Sequence, residues 1–121
     1  MQTHQVLVLG ASEDGGRYSN MAVKQLKKHH HMVTAVGKRS GNIEDIPILT
    51  SIPEGKRYHT ITLYLNPMNQ RPYEDQLIAL KPERIIFNPG TENPSFEQKL
   101  SAHGIAYLRA CTLVLLSTGQ F

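Results

Sequence analysis

Cysteine occurs once in this sequence, at Cys111, so no disulfide can close within the chain and a disulfide-stapled secreted scaffold is excluded. A single thiol fits a reducing compartment, and the expectation is a cytoplasmic protein. No apolar run is long enough to span a bilayer. The start, Met1-Gln2-Thr3-His4-Gln5, is polar and lacks the charged head and apolar stretch of a signal peptide, so no membrane association is expected. Pro-rich, Gly/Ser-rich and single-sign tracts are missing, as are internal repeats, which removes linkers and disordered tails from consideration.

A strong charge imbalance is missing too. The formal net charge is +3, and the basic residues are scattered except at Lys27-Lys28 and Lys38-Arg39. That is thin footing for nucleic-acid binding and fits a local anion site better. Carboxylate pairs suited to acid/base work are lacking; Glu13-Asp14 reads as part of a solvated loop. His29-His30-His31 looks like a metal tract, but adjacent positions on a helix point in different directions and cannot chelate as one face. A helix C-terminus that favours basic residues accounts for it better, and no metal is expected.

What is present is a rhythm of strands and helices over a length, 121 residues, that predicts one domain across residues 1–121. Val6-Leu7-Val8-Leu9, closed by Gly10, reads as a central parallel strand covered on both faces. Ser19 is placed to cap a helix with Met21, Ala22 and Leu26 inward, and Tyr18 and Val23 to form a hydrophobic staple. Met32 to Val36 and Ile61 to Leu65 follow as the second and third strands. The stretch from Gly41 to His59, broken by Pro47, Pro53 and Gly55, predicts only a short strand or turn near Ile48 and one helical turn. A helix over Asn69 to Leu80 is stopped by Pro82, and Arg84 to Phe87 is the fourth strand. Asn93 as cap, Pro94 at the first position and Gly104 beyond the end bracket another helix. Ile105 to Arg109 is the fifth strand, and Thr112 to Ser117 a closing helix before Gly119. This pattern predicts an α/β, Rossmann-like three-layer sandwich with a five-stranded parallel sheet in the order 3-2-1-4-5. Such sheets bind ligands beyond the carboxyl ends of their strands, here at a switch between the first and fourth.

The first strand-to-helix connection, Gly10-Ala11-Ser12 through Arg17, Ser19 and Asn20, has small residues that let main-chain amides approach a diphosphate, and a helix N-terminus behind them. Its spacing is not Gly-x-Gly-x-x-Gly, and no Lys-Ser or Lys-Thr follows to make a P-loop. An ordinary loop with turn glycines would look similar. After the second strand, where a carboxylate would hold the free ribose of NAD, stands Gly37-Lys38-Arg39. A basic pair suits the 2′-phosphate of NADP or the 3′-phosphate of coenzyme A, and solvated cations would look the same. Asn88-Pro89-Gly90-Thr91-Glu92 and Asn66-Pro67 add polar groups at neighbouring strand ends, although turn and capping needs explain part of each. Cys111 has no histidine at a telling spacing and reads as a small buried residue.

Leu9-Gly10-Ala11-Ser12 with Arg17-Tyr18-Ser19-Asn20, the Gly37-Lys38-Arg39 turn, Asn88 to Pro94 and Ala110-Cys111-Thr112-Leu113 together resemble the small stand-alone proteins of the CoA-binding domain superfamily. The likeness spans nearly the whole chain and extends to the nucleotide-binding domain of the succinyl-CoA synthetase α subunit. It implies a site for coenzyme A or an acyl-CoA. Gly10, Ala11, Ser12, Arg17, Ser19 and Asn20 would surround the diphosphate, with Gly37, Lys38 and Arg39 near the adenosine phosphate. Asn66, Pro67, Asn88 and Gly90 would line the pantetheine path. Two departures stand out. Related chains usually carry glycine where His30 stands, and the synthetases' phosphohistidine and ATP-grasp domains have no counterpart, so their ligase reaction does not carry over. The expected function is therefore cofactor binding in an accessory or regulatory role without turnover. The alternatives are an NADP-dependent reductase or redox sensor, and thiol or CoA-disulfide chemistry at Cys111. A protein partner or a homo-oligomer is compatible with all three.

Overall fold

The computed structural model describes residues 2–121. β1 (Gln5–Leu9) leads through the glycine-containing loop into α1 (Tyr18–Lys28), and β2 (Met32–Val36) follows. A hairpin of β3 (Gly41–Ile43) and β4 (Ile46–Leu49) precedes β5 (Thr60–Leu63). Then come α2 (Pro67–Gln70), a 3₁₀ turn over Arg71–Tyr73, α3 (Glu74–Leu80) and β6 (Arg84–Phe87). The chain closes with α4 (Pro94–Ala102), β7 (Ala106–Arg109) and α5 (Thr112–Ser117).

The fold is α/β and Rossmann-like, with a mostly parallel sheet of seven strands in the order β3-β4-β2-β1-β5-β6-β7. The five-stranded sheet and its 3-2-1-4-5 order are thereby corrected. The strand expected third, β5, lies directly beside β1 with Val6 opposite Thr60 and Leu9 opposite Leu63. The place beyond β2 belongs to β4, paired through Ala35 with Ile48 and Val36 with Leu49. Outside it, β3 runs antiparallel and turns through Glu44 and Asp45. Pro47 made this segment look strandless, yet it sits opposite Asn42 in the hairpin and just before the residues that pair with β2, where a missing N–H costs little. The turn lacks an Asn-Gly or Asp-Gly signal; Glu44 takes φ 54°, and Lys27 of α1 reaches Glu44 at 3.2 Å and Asp45 at 2.6 Å.

Alternate residues of β1 face opposite layers. Leu7 and Leu9 join Ile61, Leu63, Phe87, Leu77, Phe96 and Leu100 in the core under α3 and α4. Val6 and Val8 join Ala35, Val23, Leu26 and Leu116 under α1 and α5. Coverage on both faces is the physical reason for the unbroken apolar run, whose residues are essentially fully buried.

α1 starts two residues earlier than the sequence suggests. Arg17 occupies the cap position without a side-chain cap bond, while Ser19, Asn20, Ala22, Val23 and Leu26 are buried. Tyr18 is 70% exposed, so the expected staple with Val23 does not form. The helix expected over Asn69 to Leu80 is broken at Pro72 into α2, the 3₁₀ turn and α3; Asn66 caps α2 by accepting from the Asn69 N–H at 2.9 Å. Asn93 and Pro94 open α4 as expected, with the Asn93 side chain accepting from the Phe96 N–H.

Candidate functional site

Strand order changes hand at β1, whose neighbours β2 and β5 continue in opposite directions across the sheet. The switch point thus lies between the first and third expected strands, not the first and fourth. Beyond the carboxyl ends of these three strands opens a cleft of about 690 Å³, within the range of small-molecule sites. Gly10, Ala11, Ser12, Glu13, Asp14 and Arg17 contribute from the β1–α1 loop, Lys38, Arg39 and Ser40 from the end of β2, and Tyr64, Leu65, Asn66 and Asn69 from the end of β5.

The loop is seated by close backbone approach. Gly10 adopts φ 102°, a left-handed conformation that favours glycine, and a Cβ there would lie 3.0 Å from the Tyr64 carbonyl carbon. The N–H groups of Gly10 and Ala11 both donate to the Val36 carbonyl, at 2.8 and 2.9 Å, so they anchor the loop on β2. Donors for a ligand come from further along. The amides of Tyr18 and Ser19 are the open first-turn donors of α1, where the helix dipole favours negative charge. Asn20 is buried and its side-chain amide donates to the Ser12 carbonyl at 2.9 Å. Asp14 accepts from the Gly16 N–H at 2.9 Å and stands 4.0 Å from Arg17 Nε, an exposed and weak pairing.

Lys38 and Arg39 form no ion pair among the described residues and present their charge to the cleft beside Arg17. Against these three cations stand Glu13 and Asp14. Glu13 reaches across to β3, where it accepts from the Asn42 N–H at 3.0 Å. Gly37 is structural: a Cβ there would collide with the Ala11 carbonyl oxygen.

The remaining expected site residues take other places. Ser19 is buried at the start of α1, and Pro67 is the first residue of α2 beside the cleft-lining Asn66. Asn88 is buried outside the cleft lining. Its amide donates to Thr62 Oγ1 at 2.6 Å and the Leu63 carbonyl at 2.8 Å, and its carbonyl oxygen accepts from the Thr112 N–H at 2.9 Å. Gly90 turns the chain with φ 93°, away from the lining, and its N–H donates to Glu92. Gln70 ties the neighbouring loops together through the carbonyls of Leu65 and Thr91. Cys111 is half-buried at the start of α5 and does not line the cleft. Near it, Tyr64 carries a buried hydroxyl without a hydrogen-bond partner among the described residues; burial pushes its pKa up to about 12, so it remains a neutral phenol.

Sequence reasoning missed Glu13, Asp14, Ser40, Tyr64, Leu65 and Asn69 as lining residues. For Glu13 and Asp14 the signal was their position in the first loop, and for Ser40 its place after Lys38-Arg39. Tyr64, Leu65 and Asn69 follow once β5 is known to adjoin β1.

At the far end of the sheet, the imidazoles of His4 and His59 stack at 3.7 Å and those of His4 and His31 at 5.7 Å. His31 Nδ1 accepts from the His4 N–H at 3.1 Å. No group of three or more potential metal ligands occurs among the described residues, and none of their helices is long and apolar enough to cross a membrane.

An open α/β sheet with a polar, partly cationic cleft at its point of reversal defines a Rossmann-like ligand-binding protein. The chain belongs to the CoA binding domain family, whose model matches residues 4–117. It is similar over 100% of both chains to a crystal structure described as an uncharacterized protein, with 40% identity and a TM-score of 0.96. The structure of cell-free ID.343 from Thermus thermophilus shares the fold at 20% identity and a TM-score of 0.85, covering 99% of this chain and 92% of that one. A conserved hypothetical protein from Pyrococcus furiosus does so at 22% identity and a TM-score of 0.79, covering 91% and 97%. Among curated proteins, none matches.

Proposed function

We propose that this protein binds coenzyme A, free or acylated, in the cleft at the ends of β1, β2 and β5, as an accessory cytoplasmic module without turnover of its own. The diphosphate lies along Ser12 to Ser19, where the α1 dipole and Arg17 favour anionic oxygens and Gly10 and Ala11 keep the approach open. Lys38 and Arg39 take the adenosine phosphate. The pantetheine arm runs past Leu65 and Asn66 towards Pro67, on the side of the sheet where Asn88 and Gly90 follow β6.

The observation that carries this reading is the convergence of Arg17, Lys38 and Arg39 on one cleft in a chain of the CoA binding domain family. Calorimetric titration with CoA, desulfo-CoA, NADP and NAD tests it. CoA and desulfo-CoA are expected to bind alike and more tightly than either dinucleotide; a preference for NADP overturns the reading in favour of a reductase or redox sensor.

A further inference from the structure

Glu13 stands in the cleft beside Lys38 and Arg39, and the chain is built to keep it there. Its Oε2 accepts from the main-chain N–H of Asn42 in β3, at 3.0 Å. Its side chain fills the space that a Cβ at position 41 would need: such an atom would overlap Glu13 Cδ and stand 2.6 Å from Oε1. Gly41 has no left-handed φ, so conformation does not require a glycine there. What an added Cβ would meet is the Glu13 side chain, which would have to move. Oε1 makes no hydrogen bond among the described residues and is left for a donor in the cleft.

A carboxylate lining an anion site weakens binding unless it meets a donor. In dinucleotide-binding sheets the acidic group that holds ribose hydroxyls lies at the end of the second strand. Here that end carries Lys38-Arg39, and the carboxylate arrives at the same rim from the β1–α1 loop. A ribose with one phosphate and one free hydroxyl matches both halves: the cations take the phosphate and the carboxylate accepts from the neighbouring hydroxyl. With the substituents exchanged, phosphate would meet carboxylate.

We infer that Glu13 is the specificity residue of the cleft, accepting the free 2′-hydroxyl of a ribose whose 3′-phosphate is held by Lys38 and Arg39. This rests on the coenzyme A reading and adds to it the discrimination between ribose phosphate isomers.

The test compares adenosine 3′,5′-bisphosphate with adenosine 2′,5′-bisphosphate, which carry the same charge, so the ratio of their affinities cancels the general effect of removing a negative charge. Wild-type protein is expected to prefer the 3′,5′ isomer by about tenfold or more. Glu13→Ala should bring the ratio near one, and Glu13→Gln, which can still accept a hydroxyl, should leave it intermediate. Gly41→Ala, which displaces Glu13 and keeps its charge, should lower the ratio as well, with circular dichroism confirming the fold. An unchanged ratio in Glu13→Ala and Gly41→Ala, with CoA still binding wild-type protein, overturns the role of Glu13 alone and leaves it a structural clasp. Failure of CoA and both isomers to bind wild-type protein overturns the cofactor reading with it.

Discussion

The α-carbon of Gly37 rests against the carbonyl of Ala11, joining the end of β2 to the loop after β1 so closely that no side chain fits between them. A Cβ on Gly37 would also stand 3.1 Å from Ile48 Cγ2, which blocks escape towards the hairpin. Gly37→Ala is expected to destabilise the fold by about 1 to 3 kcal/mol, the usual range for an overpacked site. It should also weaken CoA binding, because relief requires moving the Gly10–Ser12 backbone. Urea denaturation and calorimetry on the same variant check both effects; a variant of wild-type stability would show that the contact yields freely.

Lys38→Ala combined with Arg39→Ala should weaken CoA much more than dephospho-CoA. The difference is expected to be roughly 1 to 3 kcal/mol if both side chains make charge-assisted bonds to the 3′-phosphate. Equal losses on the two ligands, measured by titration at one ionic strength, would show that neither side chain touches that phosphate.

His30 is exposed and takes φ 68° just after α1, where left-handed backbone strains any residue but glycine. His30→Gly is expected to raise stability by about 1 kcal/mol, seen as a higher urea midpoint with unchanged ligand affinity.

Stability should fall in mild acid. Burial, then the neighbouring charges of His4, His29, His59 and Arg84, hold His31 below the usual imidazole range, and burial, His4 and Arg84 do the same for His59 against the opposing pull of Glu83. Depressed values mean that the unfolded chain binds these protons first. Their contribution is therefore fully present above pH of about 6.5, the unfolded value, and is lost as pH drops below it towards the folded values. Urea midpoints between pH 8 and pH 5 should trace this decline. His31→Asn, which can still accept from the His4 N–H without titrating, should flatten it.

Asn88 satisfies three partners on β5 and α5 from a fully enclosed position. Asn88→Ala leaves the Thr112 N–H and the Leu63 carbonyl without those bonds and should cost about 2 to 4 kcal/mol, measured by urea denaturation.

The sequence reveals elements wherever local chemistry decides. The apolar run Val6 to Leu9 needs no tertiary information to be read as a central strand, and Asn93, Pro94 and Gly104 bracket α4 by cap, ring and left-handed exit. It is silent where pairing decides. β3 and β4 hold together through β2 and the Lys27 contacts to Glu44 and Asp45, none of which is a local signal. Nothing in Thr60–Leu63 states on which side of β1 it will lie, and that choice moved Tyr64, Leu65 and Asn69 into the cleft. The loop residues were legible as positions after a strand. That the Gly10 and Ala11 amides would serve Val36, and that Asn88 would be enclosed, depends on contacts across the sheet.

Gln70 and Asn88 fasten the connections after β5 and β6 to each other and to α5 before any ligand arrives. Disorder in that wall is surrendered once, during folding, and is not surrendered again at each binding event. Any adjustment on association would fall to Ser12 through Gly16, held by short local bonds, the Asn20 bond to the Ser12 carbonyl and the Glu13 bridge. If the cleft takes its ligand as proposed, entry and exit would then depend more on these five residues than on the wall that Gln70 and Asn88 hold.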